Sequence, residues 1–208
     1  MDLRDWLRRC PVVAILRGIT PSDVEPILSA LESVGICIAE IPLNSPDPFT
    51  SISLASQEFG DRMLIGAGTL RDPRQVAEVA ASGGKLIVTP HSHGETVREA
   101  KAAGLTAVPG CFTPTDAFAM LSLGADALKL FPAEALGPAG AKALLAVLPE
   151  DTILIPVGGV DEGSIPAWKR VGVSGYGIGA ALYRPGDGAP QVVARAQSIL
   201  FASNRKSR

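Results

Sequence analysis

Short runs of apolar residues recur along the chain, and each is followed by a stretch whose apolar positions are spaced as in an amphipathic helix. Continuous apolar runs are typical of parallel strands that are buried on both faces. Proline and glycine punctuate the runs, as expected at the ends of many short elements. Eight such strands are predicted, beginning at Val12, Ile36, Met63, Lys85, Thr106, Ala127, Ile153 and Gly175.

Eight alternating strand and helix units predict a (β/α)8 TIM barrel, preceded by a short helix around residues 2–10. A length of 208 residues suits a single domain covering residues 1–208. The alternative is an open doubly wound sheet, which usually carries its glycine-rich turn after the first strand. Here the paired glycines follow the seventh and eighth strands instead, so the pattern favours the barrel.

The helix boundaries are read from capping residues. Thr20 is predicted as the N-cap of the second helix, with Pro21 at its first position. The helix that follows the sixth strand is predicted to begin at Pro138 and to end at Leu148.

Charge and composition exclude several kinds of partner. The formal net charge is −2, from 19 basic and 21 acidic residues, and no basic face for nucleic acid or an anionic membrane is predicted. The chain begins with acidic residues and has no apolar run long enough to span a bilayer, so we expect a cytoplasmic protein.

Cys10, Cys37 and Cys111 are widely spaced beside apolar residues, which predicts reduced core thiols.

One charge interrupts the sixth strand. Lys129 lies between Leu128 and Leu130, where desolvation should lower its pKa and provide a free amine. Such an amine could attack a ketone and form a Schiff base. The alternative, equally weighted on this stretch alone, is a lysine that extends its ammonium group to solvent from a strand end.

In a barrel, the carboxyl ends of the strands share one mouth. Glu40 alternates with Pro42 and Asn44, which predicts that all three point to one face. A carboxylate there suits proton transfer, although a structural ion pair with Lys129 or Arg17 is the alternative. The residues predicted at this mouth are Arg17, Glu40, Asn44, Thr69, Pro90, Lys129, Gly158, Gly159, Gly179 and Ala180.

The glycine turns at Gly158-Gly159 and after Ile178 leave backbone N–H groups accessible. At two successive strand ends they favour a phosphorylated ligand.

His91 and His93 are two residues apart without a nearby carboxylate pattern, so we expect no metal site. His93 is interpreted as a residue at the start of a helix.

Four motifs occur in the order that is typical of one family. They are Glu40 to Pro46 (EIPLNSP), Gly66 to Thr69 (GAGT), Ala127 to Pro132 (ALKLFP) and Val157 to Val160 (VGGV). With them, nearly the whole chain resembles the 2-keto-3-deoxy-6-phosphogluconate and 6-phosphogalactonate aldolases, small trimeric class I aldolases. The opening from Ile15 to Pro21 and the turn at Asn44 resemble the phosphogalactonate branch more closely.

This resemblance implies that Lys129 forms the Schiff base and that Glu40 acts as general acid and base through water. It implies a carboxylate site at Arg17 and Thr69 and pocket walls at Pro90 and Phe131. The phosphate would lie at Gly158, Gly159, Gly179 and Ala180, with Ala180 where the family often has serine. Asn44 stands where some relatives carry arginine, so Arg17 would have to supply the guanidinium.

The resemblance also implies the reaction, with no cofactor and no metal. A 2-dehydro-3-deoxy-6-phosphogalactonate would be cleaved to pyruvate and D-glyceraldehyde 3-phosphate by a homotrimer. The 6-phosphogluconate epimer and 4-hydroxy-2-oxoglutarate are alternative substrates. Two further alternatives are isomerisation, with Glu40 as base and Lys129 as its electrostatic partner, and a non-catalytic sugar-phosphate-binding barrel.

Overall fold

The strands form where the apolar runs predicted them. The computed structural model describes residues 1–204. In that part of the chain an additional strand follows the predicted fifth one after Pro109, which has no N–H to continue the ladder. The strands are β1 Val12–Ile15, β2 Ile38–Pro42, β3 Leu64–Gly68, β4 Leu86–Val88, β5 Thr106–Val108, β6 Gly110–Cys111, β7 Leu128–Leu130, β8 Leu154–Pro156 and β9 Tyr176–Ile178.

Helices alternate with these strands along the chain. They are α1 Leu3–Arg9, α2 Val24–Ser33, α3 Pro48–Phe59, α4 Gln75–Ala81, α5 Gly94–Ala102, α6 Pro114–Ser122, α7 Ala133–Leu145, α8 Ile165–Arg170 and α9 Ala189–Asn204.

One predicted helix start is confirmed in part and one is wrong. Thr20 and Pro21 take the predicted N-cap and first positions, but of a 3-10 turn over Pro21–Asp23 that leads into α2. The Thr20 hydroxyl donates to the Asp23 carboxylate at 2.7 Å and makes no capping bond. Helix α7 begins at Ala133, five residues before the predicted start, and is interrupted at Gly137, whose φ is 69°. Glycine tolerates this left-handed conformation, so the chain continues as helix beyond the break.

The sheet is parallel throughout the pairs that the structure describes. Six strands form a curled sheet in the order β5-β4-β3-β2-β1-β9, and three more form a second sheet in the order β6-β7-β8. A few contacts join the two sheets at both edges. Ser174 N donates to Leu154 O at 2.9 Å, Val157 forms an isolated bridge with Gly177, and Asp126 N donates to Ala107 O at 2.9 Å. The predicted α/β class is therefore confirmed, whereas a continuous eight-stranded ladder is not seen.

Helix α1 covers the amino-terminal ends of the strands. The Cys37 thiol, just before β2, donates to the Trp6 carbonyl at 3.7 Å, and a side chain at Gly175 would contact Leu7 at 2.8 Å. Leu3 faces the same internal cavity as strand residues of β1 and β7. The carboxyl ends of the strands are thus left as the open mouth.

The three cysteines are buried and free, as predicted. No helix within residues 1–204 is both long enough and apolar enough to cross a lipid bilayer.

Candidate active site

Lys129 on β7 is buried among core side chains. Only 4% of its surface is exposed, so it does not extend to solvent as the alternative reading required. Burial lowers the pKa of this lysine, and the nearby charge of Arg17 lowers it further, while the carboxylate of Glu40 opposes both. The lowered pKa increases the fraction of free amine, the form that nucleophilic attack requires.

Glu40 on β2 is buried even more completely, with 1% of its surface exposed. Neither carboxylate oxygen has a hydrogen-bond partner within residues 1–204, and the predicted alternative of a structural ion pair with Lys129 or Arg17 is not seen among the ion pairs of that range. Burial raises the pKa of Glu40 to about 7, although Lys129 and Arg17 pull it down. A carboxyl group with this pKa can both accept and release a proton near neutral pH.

Both groups line one small internal cavity, which is otherwise apolar. Its volume is about 20 Å³, which is room for about one water molecule. A water there would have two polar partners, Lys129 and Glu40. The other residues that line this cavity are Leu3, Val13, Ile15, Ile38, Leu86, Val88, Val108, Ile155, Val157 and Gly177.

The Glu40 carboxylate lies directly against Gly68 at the end of β3. A Cβ at Gly68 would overlap all three atoms of that carboxylate group. The register of the two strands, which pairs Pro42 with Gly68, brings this glycine beside the acid. The sequence predicted no steric role for Gly68, which stands there only as part of the GAGT motif. Its contact with Glu40 forms across the pair of strands β2 and β3 and cannot be read from either strand alone.

Arg17, Asn44 and Thr69 come together at the mouth. Arg17 Nη1 donates to Asn44 Oδ1 at 2.6 Å, and Arg17 Nη2 donates to Thr69 Oγ1 at 3.3 Å. Thr69 has a φ of 60°, which is unusual for a β-branched residue. Asn44 thus orients the arginine instead of supplying a second positive charge, and the guanidinium is left facing the mouth with donors for a carboxylate.

Phe131 and Pro90 differ in their relation to the site. Lys129 Nζ lies 5.0 Å from the centroid of the Phe131 ring, so Phe131 lies beside the amine. Pro90 is partly buried after β4, where its backbone would overlap a Cβ on Gly110. It lines neither of the two cavities of the site.

A second cavity, which we call the mouth cavity, opens beside Arg17 and Phe131 and has a volume of about 290 Å³. Gly158, Gly159, Gly179 and Ala180 line it, as the sequence predicted. Gly158 and Gly159 have φ values of 106° and 65°. The amides of Gly158, Gly159 and Ala180 donate to no backbone carbonyl within residues 1–204. Free N–H groups in consecutive left-handed residues form a concavity that suits an anionic oxygen.

Sequence reasoning missed the acidic groups around this mouth cavity. Asp161 lines it, and a Cβ at Gly158 would overlap the carboxylate of Glu134 on α7. It also missed Arg184, whose Nε donates to the carbonyl of Ala180 at 3.0 Å. The turn Tyr183 to Gly186 (YRPG) shortly after the last strand was the available signal for that arginine.

The histidines belong to a helix start. His93 caps α5 and its Nδ1 accepts from Thr96 N at 3.4 Å, as interpreted from the sequence. The rings of His91 and His93 lie 5.5 Å apart. Within residues 1–204, no group of three or more His, Cys, Asp and Glu side chains is arranged to hold a metal ion.

Comparison with known proteins agrees with this arrangement. A family model described as KDPG and KHG aldolase matches residues 3–185. The 2-dehydro-3-deoxy-6-phosphogalactonate aldolase of Escherichia coli is 44% identical over 95% of this chain and 96% of its own length. A probable enzyme of the same name from Rhizobium meliloti is 44% identical over 92% of this chain and 91% of its own length.

A solved structure described as native KDPGal superposes with a TM-score of 0.92 at 44% identity, covering 93% of this chain and 94% of the other. The matches extend over the strands that carry Glu40 and Lys129 and over the glycine turns of the mouth. The chain therefore belongs to the KDPG and KHG aldolase family.

Proposed function

We propose that this protein is a class I aldolase that cleaves 2-dehydro-3-deoxy-6-phosphogalactonate to pyruvate and D-glyceraldehyde 3-phosphate. The observation that carries the proposal is that two buried groups, the amine of Lys129 and the unpaired carboxyl of Glu40, line one internal cavity. The similarity to the Escherichia coli enzyme of that activity supports the choice of substrate.

The reaction begins at Lys129. Its neutral amine attacks the C2 ketone of the substrate, and loss of water leaves a protonated imine on Nζ. Glu40 supplies the proton for the departing hydroxyl, directly or through a water. The guanidinium of Arg17, oriented by Asn44 and Thr69, binds the C1 carboxylate and presents C2 to the amine.

Carbon–carbon cleavage uses Glu40 as a base. The carboxylate removes the proton of the C4 hydroxyl, the C3–C4 bond breaks, and its electron pair moves into the imine to give an enamine. Glyceraldehyde 3-phosphate leaves, C3 of the enamine takes up a proton, and water hydrolyses the resulting pyruvyl imine to free Lys129. The pKa of Glu40 near 7 suits this alternation between acid and base.

The phosphate end of the substrate is assigned to the mouth cavity. Gly158, Gly159, Gly179 and Ala180 offer backbone N–H groups there, and glycine allows the anionic oxygens to approach closely. Phe131 is proposed as a wall around the reacting carbons, whereas Pro90, which lines neither cavity, is given no such role.

Borohydride trapping tests the chemistry. The protein is incubated with pyruvate and sodium borohydride and analysed by mass spectrometry. We expect a reduced pyruvyl adduct on Lys129 that is absent from Lys129→Ala. Folded protein that forms no adduct on any lysine would reject the aldolase and would favour the isomerase or the binding protein.

Substrate preference is tested separately. We expect kcat/KM for the 6-phosphogalactonate substrate to exceed that for the 6-phosphogluconate epimer and for 4-hydroxy-2-oxoglutarate. A higher value for either competitor would assign the protein to the other branch of the same family while leaving the Schiff-base chemistry intact.

The architecture of the enzyme is proposed as a single domain, residues 1–208, in which the two sheets close into a (β/α)8 barrel. The contacts Ser174 to Leu154 and Asp126 to Ala107 support closure at both edges. Slow hydrogen exchange of the Ser174 and Asp126 amides is the expected result, and rapid exchange would argue for open edges.

We propose that the enzyme is a homotrimer, as the resemblance implies, and that it is cytoplasmic, as expected from the sequence pattern. Phe112 and Phe118, which are 40% and 47% exposed, are large apolar residues near α6 that a neighbouring subunit would cover. Light scattering coupled to size-exclusion chromatography should give three chains per particle, whereas a mass of one chain would reject the trimer.

A further inference from the structure

The phosphate end of the proposed site lacks an evident positive charge. Arg17 lines the mouth cavity, but its guanidinium, oriented by Asn44 and Thr69, is assigned to the C1 carboxylate of the substrate. Asp161 lines the same cavity and the Glu134 carboxylate lies against Gly158. A phosphate dianion that approached these glycines would meet two carboxylates, and backbone amides alone would have to offset their repulsion.

Arg184 lies at the edge of this cavity. Its Nε donates to the carbonyl of Ala180 at 3.0 Å. The guanidinium is therefore hydrogen-bonded to one of the residues that are proposed to bind the phosphate. Arg184 also lines a neighbouring cavity of about 420 Å³, and Asp161 and Ala181 line both this cavity and the mouth cavity. The guanidinium is thus separated from the mouth cavity only by a wall that the two cavities share.

The donors of Arg184 are available. Its terminal nitrogens make no hydrogen bond within residues 1–204, and none of the ion pairs in that range includes it. Arg195, the other arginine of the neighbouring cavity, is instead paired with Asp187. Among residues 1–204, Arg184 is thus a cation next to the glycine turns that is in no direct ion pair, although its charge also acts on the nearby Asp187.

The backbone of Arg184 is fixed while its side chain is exposed. Its N–H donates to Asp187 Oδ2 at 2.7 Å, and Asp187 is anchored by Arg195 from α9. On the other side, Pro185 fits against Gly18, where any Cβ would lie 2.6 Å from Pro185 Cγ. A fixed backbone that presents an exposed guanidinium is a suitable arrangement for binding an anion with little loss of backbone freedom.

From these contacts we infer that Arg184 binds the phosphate group of the substrate and so determines the preference for phosphorylated over unphosphorylated 2-oxo acids. The arginine supplies the charged donor that Ala180, in the place of a serine, does not. The inference rests on the proposed function, since it assigns one more residue to that same site.

The test compares Arg184→Gln, Arg184→Lys and the control Arg8→Gln. Arg8 is on α1 at the opposite end of the strands, where it forms an exposed ion pair with Asp5, so the control makes the same change in net charge away from the mouth. For each protein, KM and kcat are measured with the phosphorylated substrate and with unphosphorylated 4-hydroxy-2-oxoglutarate. Binding of inorganic phosphate is measured by calorimetry, which needs no turnover.

For Arg184→Gln we expect KM for the phosphorylated substrate, and Kd for inorganic phosphate, to rise about ten- to a hundredfold. Values for the unphosphorylated substrate should not change, Arg184→Lys should recover part of the loss, and Arg8→Gln should behave as the parent. Equal effects on both substrates, or an unchanged Kd for phosphate, would overturn the inference. Failure of pyruvate trapping in the parent would instead reject the aldolase itself, and the phosphate calorimetry would still decide the role of Arg184.

Discussion

Replacing Glu40 with glutamine should stabilise the protein while it impairs catalysis, and the stabilisation should depend on pH. The carboxylate is 1% exposed and has no hydrogen-bond partner within residues 1–204. Glutamine has nearly the same shape and stays neutral, so it imitates the protonated acid at every pH.

The magnitude follows from the raised pKa. Burial moves the pKa of Glu40 from 4.5 to about 7, and each pH unit is worth about 1.4 kcal/mol. Ionisation therefore costs about 3 kcal/mol more in the folded than in the unfolded chain. Because the folded pKa is the higher one, the parent has its full stability below about pH 4.5, loses stability as the pH rises towards 7, and changes little through this group above that.

We expect Glu40→Gln and the parent to be about equally stable near pH 4.5. Near pH 8 the variant should be more stable by about 3 kcal/mol, which is about 6 to 12 °C in Tm for a chain of this length. Its kcat should fall about a hundredfold or more, because proton transfer is lost.

Urea unfolding at a series of pH values, at one protein concentration, measures the difference. Glu25→Gln on the exposed face of α2 is the matched control and should show no such trend. A stability difference between Glu40→Gln and the parent that stays constant from pH 4.5 to 8 would refute the account of an unpaired, buried carboxyl group.

Three more substitutions test the site. Gly68→Ala would force its methyl group into the carboxylate of Glu40, so thermal unfolding should show a loss of about 2 kcal/mol or more and assays a large loss of kcat; normal values would contradict the close contact. Lys129→Met removes the amine but keeps an apolar stem, and it should yield folded protein, by circular dichroism, with no borohydride adduct. Asn44→Ala frees the Arg17 guanidinium, so KM for pyruvate in the reverse condensation should rise about tenfold, whereas an unchanged KM would show that Arg17 needs no such support.

The sequence predicted the strands and the chemical groups at their ends well, for a physical reason. Parallel strands buried on both faces must be apolar, so a charge such as that of Lys129 stands out and identifies a candidate nucleophile. Helix starts were predicted less well. Thr20 met the compositional rule for an N-cap, but its hydroxyl bonded to the Asp23 side chain, and composition does not distinguish these partners.

Contacts between two separate segments of the chain could not be predicted from the sequence of either segment alone. Gly68 matters because strand register sets it beside Glu40. Arg184 lies beyond the last strand, and only the turn that returns it to the Ala180 carbonyl gives it a place at the mouth. The sequence predicted a closed barrel, and the structure confirms the parallel α/β fold but not the full barrel, because closure depends on the stagger between strands that pair at the edges.

Helix α1 affects the reacting groups even though it lies at the opposite end of the strands from the mouth. Leu3 lines the internal cavity that also holds Lys129 and Glu40, so the amino-terminal helix forms the floor of the reaction chamber and keeps solvent out from below. Removing that helix, or pulling it away with a tag fused to Met1, would admit water along the axis of the strands. The lysine would regain hydration, its pKa would return towards the usual value, and the enzyme would need a more alkaline medium to keep its nucleophile uncharged.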